Sequence, residues 1–172
     1  MDEFTHIVSQ WETFYLLTGT AAATLIGLLF IAVSINVEAF RGSIHRDLQR
    51  FATLTFNCFF YVLLISMFFL IPDLSPLALG LPMLLLGLLG LGNAMLQQRR
   101  MRRSQSSQRG PGMATSFYIP MLSLLILAIV GLGTIFQYTQ SFYLLVLVII
   151  FLLGSAAVNA WTLLVAVENP KP

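Results

Sequence analysis

The groups that catalysis would need are few in this chain, and they stand apart. Two histidines, His6 and His45, one cysteine, Cys58, and seven carboxylates are spread over 172 residues. Cys58 falls inside an apolar run, has no second cysteine to pair with, and so gives no redox compartment. There is no H-E-x-x-H pair to hold zinc, no G-x-S-x-G elbow and no paired aspartate within an apolar run. The chain reads as a non-enzyme with no catalytic, cofactor-binding or metal-ligating residues. Glu12 and Glu38 stand only at the margins of apolar runs. Proton-coupled transport, which uses an acidic group or His within a span, therefore lacks support.

The richer chemistry is that of hydroxyls and amides. Thr13, Thr20, Thr24, Gly27, Ser34 and Glu38 share one face at helical spacing. Arg46, Arg50, Thr53, Asn57 and Tyr61 form a second such stripe, and Ser155, Asn159, Thr162 and Ala166 a third. A polar face on an apolar helix either lines a wet pathway or bonds its own carbonyls and neighbouring helices. Thr20, Thr24, Ser34, Arg50, Thr53, Asn57 and Asn159 are the candidate pathway-lining residues. The asparagines matter most, because an unpaired amide in hydrocarbon costs several kcal/mol.

These stripes need long apolar helices to carry them. The chain is 58% hydrophobic and only 9% charged, against about 25% charged residues in soluble domains. A soluble fold of this size keeps too much exposed surface to hide so much apolar material. A bilayer span needs about 20 apolar residues, and five stretches qualify: Trp11 to Val37, Phe51 to Ile71, Ser75 to Leu96, Ser116 to Gln137, and Ser141 to Val167. Lipid cannot satisfy the backbone groups of an open strand, so all five are expected to be helices. The fold class is all-α, a polytopic bundle of five transmembrane helices forming a single domain over 1–172.

Orientation follows from charge. Arg41, Arg46 and Arg50 fall around the first link, and Arg99, Arg100, Arg102, Arg103 and Arg109 in or beside the second. Basic links stay in the cytoplasm, which puts the N-terminus outside and the C-terminus inside. Trp11 and Tyr15 then belong at the outer headgroup level with Tyr138, Phe142 and Tyr143, and Tyr118 and Trp161 at the inner one. The N-terminus is too acidic, and the run after Trp11 too long, for a signal peptide. Ser43 suits a helix N-cap, so the second helix is expected to begin before the membrane. The second link, Gln97 to Thr115, reads as a flexible loop because of its serines, Gly110, Pro111 and Gly112.

Small residues mark contacts. Gly19, Ala23 and Gly27 recur every four residues, a pattern that lets helix backbones approach closely, and they are the candidate helix-packing residues. The third span carries Gly80, Pro82, Gly87, Gly90 and Gly92, and the fourth Pro120, Gly131 and Gly133. These favour tight packing with a mild bend, with a hinge beside a substrate site as the alternative. Arg99, Arg100, Arg102 and Arg103 act as an orientation signal and as candidate contacts for anionic lipid headgroups. No folded module accompanies that charge, so nucleic acid is not an expected partner.

The segment from Trp11 to Phe30 reads W-x2-F-Y-x3-G-x-A-A-A-x-L-x-G-L-L-F. It resembles a segment of small, uncharacterised bacterial polytopic membrane proteins, and the likeness covers mainly the first span. The resemblance implies a multi-pass protein of the bacterial cytoplasmic (inner) membrane and carries no activity. Two functions fit the residues. One is a homo-oligomeric channel-like transport protein passing small neutral solutes or anions. The other is a non-conducting scaffold or accessory subunit that docks a membrane-protein partner through small-residue faces.

Overall fold

The structure, a computed structural model, describes residues 3–35, 46–72, 75–103 and 111–168. The elements are α1 (Glu3–Gln10), α2 (Glu12–Ile35), α3 (Arg46–Phe69), α4 (Pro76–Arg103), α5 (Pro111–Ile135) and α6 (Phe142–Glu168), with a 3-10 turn at Thr139–Ser141. No strand occurs among the described residues. Helices α2 to α6 are long and apolar enough to cross a membrane.

Several boundaries differ from the sequence expectation. Helix α4 continues to Arg103 and α5 starts at Pro111, so most of the stretch read as a loop from Gln97 to Thr115 is helical. Gln, Met and Arg are good helix formers outside the membrane as well as within it, and Pro111 suits the first helical position. Helix α3 is already formed at Arg46, five residues before the apolar stretch opens at Phe51. Ser43 lies outside the described residues. The short helix α1 was not anticipated. It sets Phe4 edge-on against Phe142 at 6.0 Å, and Trp11 beyond it meets Tyr143 at 5.3 Å.

The helices do not pack in chain order. Helix α2 lies against α3, α3 against α6, α6 against α5, and α5 against α4. The pairs are antiparallel: Thr18 lies by Ser66 and Phe30 by Phe56, while Gly87 lies by Ala128 and Gly90 by Leu124. A thin contact between Tyr61 of α3 and Gly90 of α4 completes a ring of four helices, with α2 outside it. The bundle thus has an aromatic end, bearing Trp11, Phe69 and Phe142, and an arginine end, where α4 finishes.

Large apolar side chains cover the outside of the bundle as well as its core, and some hydroxyls are buried. Leu17 (69% exposed) and Leu89 (70%) point outward, whereas Thr55, Ser66, Ser123 and Thr134 are fully buried. Ser66, Ser123 and Thr134 have partners close by. Ser123 donates to the Ile119 carbonyl and Thr134 to that of Val130, each one helical turn back. Thr18 and Ser66 hydrogen-bond across α2 and α3 at 3.1 Å, a type of contact that averages about 0.6 kcal/mol between membrane helices. Pro82 and Pro120 both sit inside unbroken helices.

Caps fix the ends at the aromatic side. The Ser75 hydroxyl accepts from the Ala78 amide at 3.2 Å, with Pro76 opening α4. Helix α5 ends with Gln137 at φ 61°, the Tyr138 amide donating to Gly133 and the Gln137 amide to Thr134. Glycine is the ordinary occupant of that left-handed position. Gln137→Gly is therefore expected to raise thermal stability by up to about 1 kcal/mol. An unchanged or lower melting temperature in detergent would show that the glutamine side chain contributes more than its backbone costs.

Candidate functional site

The polar stripe of α2 faces away from the bundle. Tyr15, Thr18, Gly19 and Ala22 are its buried residues, and Thr20, Thr24 and Ser34 are exposed. Thr20 donates to the Leu16 carbonyl at 2.7 Å and Thr24 to the Thr20 carbonyl at 2.9 Å, so both hydroxyls are satisfied within their own helix. The repeat of small residues divides. Gly19 is buried, and a Cβ there would lie 2.8 Å from Cβ of Ser66. Ala23 is exposed, as is Gly27, whose Cβ would meet nothing within 4 Å. A step of four residues overshoots a full turn by about 40°, so the repeat winds off α3 and out of the bundle. Within the protomer, the small residues against α3 are Gly19 and Ala22.

On α3, Thr53 is exposed and donates to the Gln49 carbonyl at 2.8 Å. Asn57 is half-buried, and Thr55 on the opposite side lies in the core. Arg50 belongs to α3, but its side chain lies outside the described residues. Thr53 borders a shallow groove of about 260 Å³ formed with Ala52, Phe56, Leu29, Phe30 and Val33. Its walls are otherwise apolar.

On α6 the arrangement differs. Asn159 is 1% exposed and Ser155 7%, while Thr162 is exposed and donates to the Val158 carbonyl. Neither Ser155 Oγ nor either amide atom of Asn159 has a hydrogen-bond partner among the described residues. Both residues line a groove of about 330 Å³ between α5 and α6, with Ile119, Ile150, Phe151, Gly154 and Val158.

The candidate pathway residues thus occupy three separate places: the outward face of α2, the outer side of α3, and the interior beside α6. Within one protomer the described residues do not gather them around a common axis. Arg99 is exposed on the stretch of α4 that runs past its apolar span, and Arg100, Arg102 and Arg103 share that stretch, their side chains outside the described residues.

Sequence reading missed two features of the interior. Tyr15, expected at the headgroup level, is fully buried and stacks on Phe69 with ring centroids 3.8 Å apart. Its hydroxyl has no partner among the described residues. The Thr18–Ser66 bond was also passed over. The signal for it was the run of small residues Thr18, Gly19 and Ala22, one face away from the more regular threonine repeat. No family model, no curated protein and no solved structure matches this chain.

Proposed function

We propose that this chain is a multi-pass protein of the bacterial cytoplasmic membrane whose work is lateral assembly: α2 docks a second copy and so builds a homo-oligomer. One observation carries the reading. Helix α2 is the least covered of the five long helices, and its outward face bears Thr20, Ala23, Thr24 and Gly27. These are the residue types over which membrane helices approach closely. The two threonine hydroxyls already bond their own backbone, so the face can meet another helix without water. The charge pattern supports the arginine end as the cytoplasmic one.

Passage of small neutral solutes or anions is the second reading. The outward placement of Thr20, Thr24, Ser34 and Thr53 favours it, because symmetric copies meeting through α2 would bring hydroxyls around one axis. Docking of a different membrane protein on the same face is the scaffold alternative.

Gly27→Leu separates assembly from folding. Open space surrounds Gly27, so the protomer should melt as the wild type does while its size in detergent falls. An unchanged size would remove α2 as the self-contact and leave the heterologous partner. Flux of small solutes into liposomes, lost in the same variant, would promote the channel over the scaffold. For orientation, reporters fused at Pro72 and Gln140 should be exported and one at Gln105 retained. Export at Gln105 would reverse the topology.

A further inference from the structure

Of the four buried side-chain polar atoms that lack a hydrogen-bond partner among the described residues, three belong to Ser155 and Asn159. They sit together at the α5–α6 groove. A primary amide carries two donors and an acceptor, and a serine hydroxyl adds a further donor. Leaving such groups unmet in a low-dielectric interior is costly, so a ligand that meets them gains what the protomer lacks.

We propose that this groove binds a phospholipid from the leaflet at the arginine end, with an acyl chain along the groove and the ester region at Asn159 and Ser155. Three observations lead there. Depth is the first. Trp161, 70% exposed two residues along α6, and Tyr118, 58% exposed next to Ile119, are rings of the kind that settle at headgroup level, so Asn159 lies about 3 Å along the helix from that level at 1.5 Å per residue. That is where the polar glycerol-ester layer gives way to the chains. Chemistry is the second. Ester carbonyls only accept, and Asn159 Nδ2 and Ser155 Oγ donate. Both polar atoms of the amide are buried, so the side chain must turn toward the groove to meet a bound carbonyl.

Shape is the third. Ile119, Ile150, Phe151 and Val158 make the rest of the lining apolar. Ile150 lies nine residues deeper along α6 than Asn159, about 13 Å. The volume of about 330 Å³ far exceeds the ~30 Å³ of one water. An acyl chain is thin enough to enter. The site is independent of the outward face of α2.

Native mass spectrometry tests the assignment on the full chain, exchanged in mild detergent with phosphatidylglycerol or phosphatidylethanolamine. The wild type should keep a lipid adduct after the detergent is stripped. Gly154→Phe should lose it, because the ring fills the groove from a position whose Cβ meets no atom within 4 Å, and this variant should fold normally. Asn159→Leu should retain less lipid, while its lipid-free form melts higher than the lipid-free wild type. Failure of the wild type to keep any adduct overturns the proposal, as does full retention by Gly154→Phe. Disulfide pairing of two chains through Gly154→Cys, made with Cys58→Ser, would assign the groove to a second copy and also overturn it.

Discussion

Gly131→Val is expected to break the α4–α5 pair and to cost about 3 kcal/mol or more, at or above the top of the range usual for overpacking. At Gly131 even a methyl group would lie 2.5 Å from the Leu84 amide nitrogen and 3.0 Å from the Gly80 carbonyl oxygen. Those atoms are backbone, so no rotamer change relieves the clash, and the two helices must separate. Gly87→Val should behave alike, since its Cβ would fall 2.7 Å from the Ala128 nitrogen. Gly92→Val is the control. It stands on the same helix with nothing within 4 Å, and only the modest propensity difference between valine and glycine applies. In detergent the first two variants should melt lower by roughly 6 °C or more, with Gly92→Val close to wild type. Equal behaviour of Gly92→Val and Gly131→Val would refute backbone contact between α4 and α5.

The second large effect is at Tyr15, and its sign depends on the replacement. Tyr15→Ala empties a fully buried site and removes the ring that stacks on Phe69. Losses of this kind cost about 3–5 kcal/mol for a large aromatic. Tyr15→Phe keeps the ring and deletes a hydroxyl that has no partner among the described residues. A buried unsatisfied group costs about 1–3 kcal/mol, so the phenylalanine variant should melt as high as the wild type or higher. A marked loss of stability in Tyr15→Phe would mean that the hydroxyl is bonded in the membrane-embedded protein. Thermal melts of the two variants beside wild type decide the point.

The five long helices were legible in the sequence because lipid demands length and apolar character, and both are local properties. Their ends at the arginine side were not. A hydropathy criterion stops at Leu96, whereas Gln97 to Arg103 keep helical geometry without needing lipid. Helix α1 was hidden because eight residues supply too little apolar run to stand out, and its place is set by Phe4 reaching Phe142. Helix order was beyond reach, since α2, α5 and α6 are apolar on nearly every side and a period carries little information about neighbours. The same limit applies to the candidate site. Gly27 and Gly19 look alike in a four-residue repeat, and only the contact with Ser66 distinguishes them. Asn159 stood among the candidate pathway residues, and its side chain is 1% exposed. That its surroundings are a groove depends on how α5 packs beside α6, which the pattern of α6 does not carry.

The packing order also bears on how the protein is made. Chains emerge from the ribosome N-terminal part first, at about 5–20 residues per second. Helices α2 and α3 form one antiparallel hairpin, and α4 and α5 form another. Until α6 arrives, little more than the Tyr61–Gly90 contact joins the two. Helix α6 then enters between α3 and α5 and supplies the shared wall. Insertion therefore yields two halves that must wait in the bilayer, side by side, for the element that unites them. During that interval the faces of α3 and α5 that α6 will cover are open to lipid, to chaperones and to proteases of the membrane.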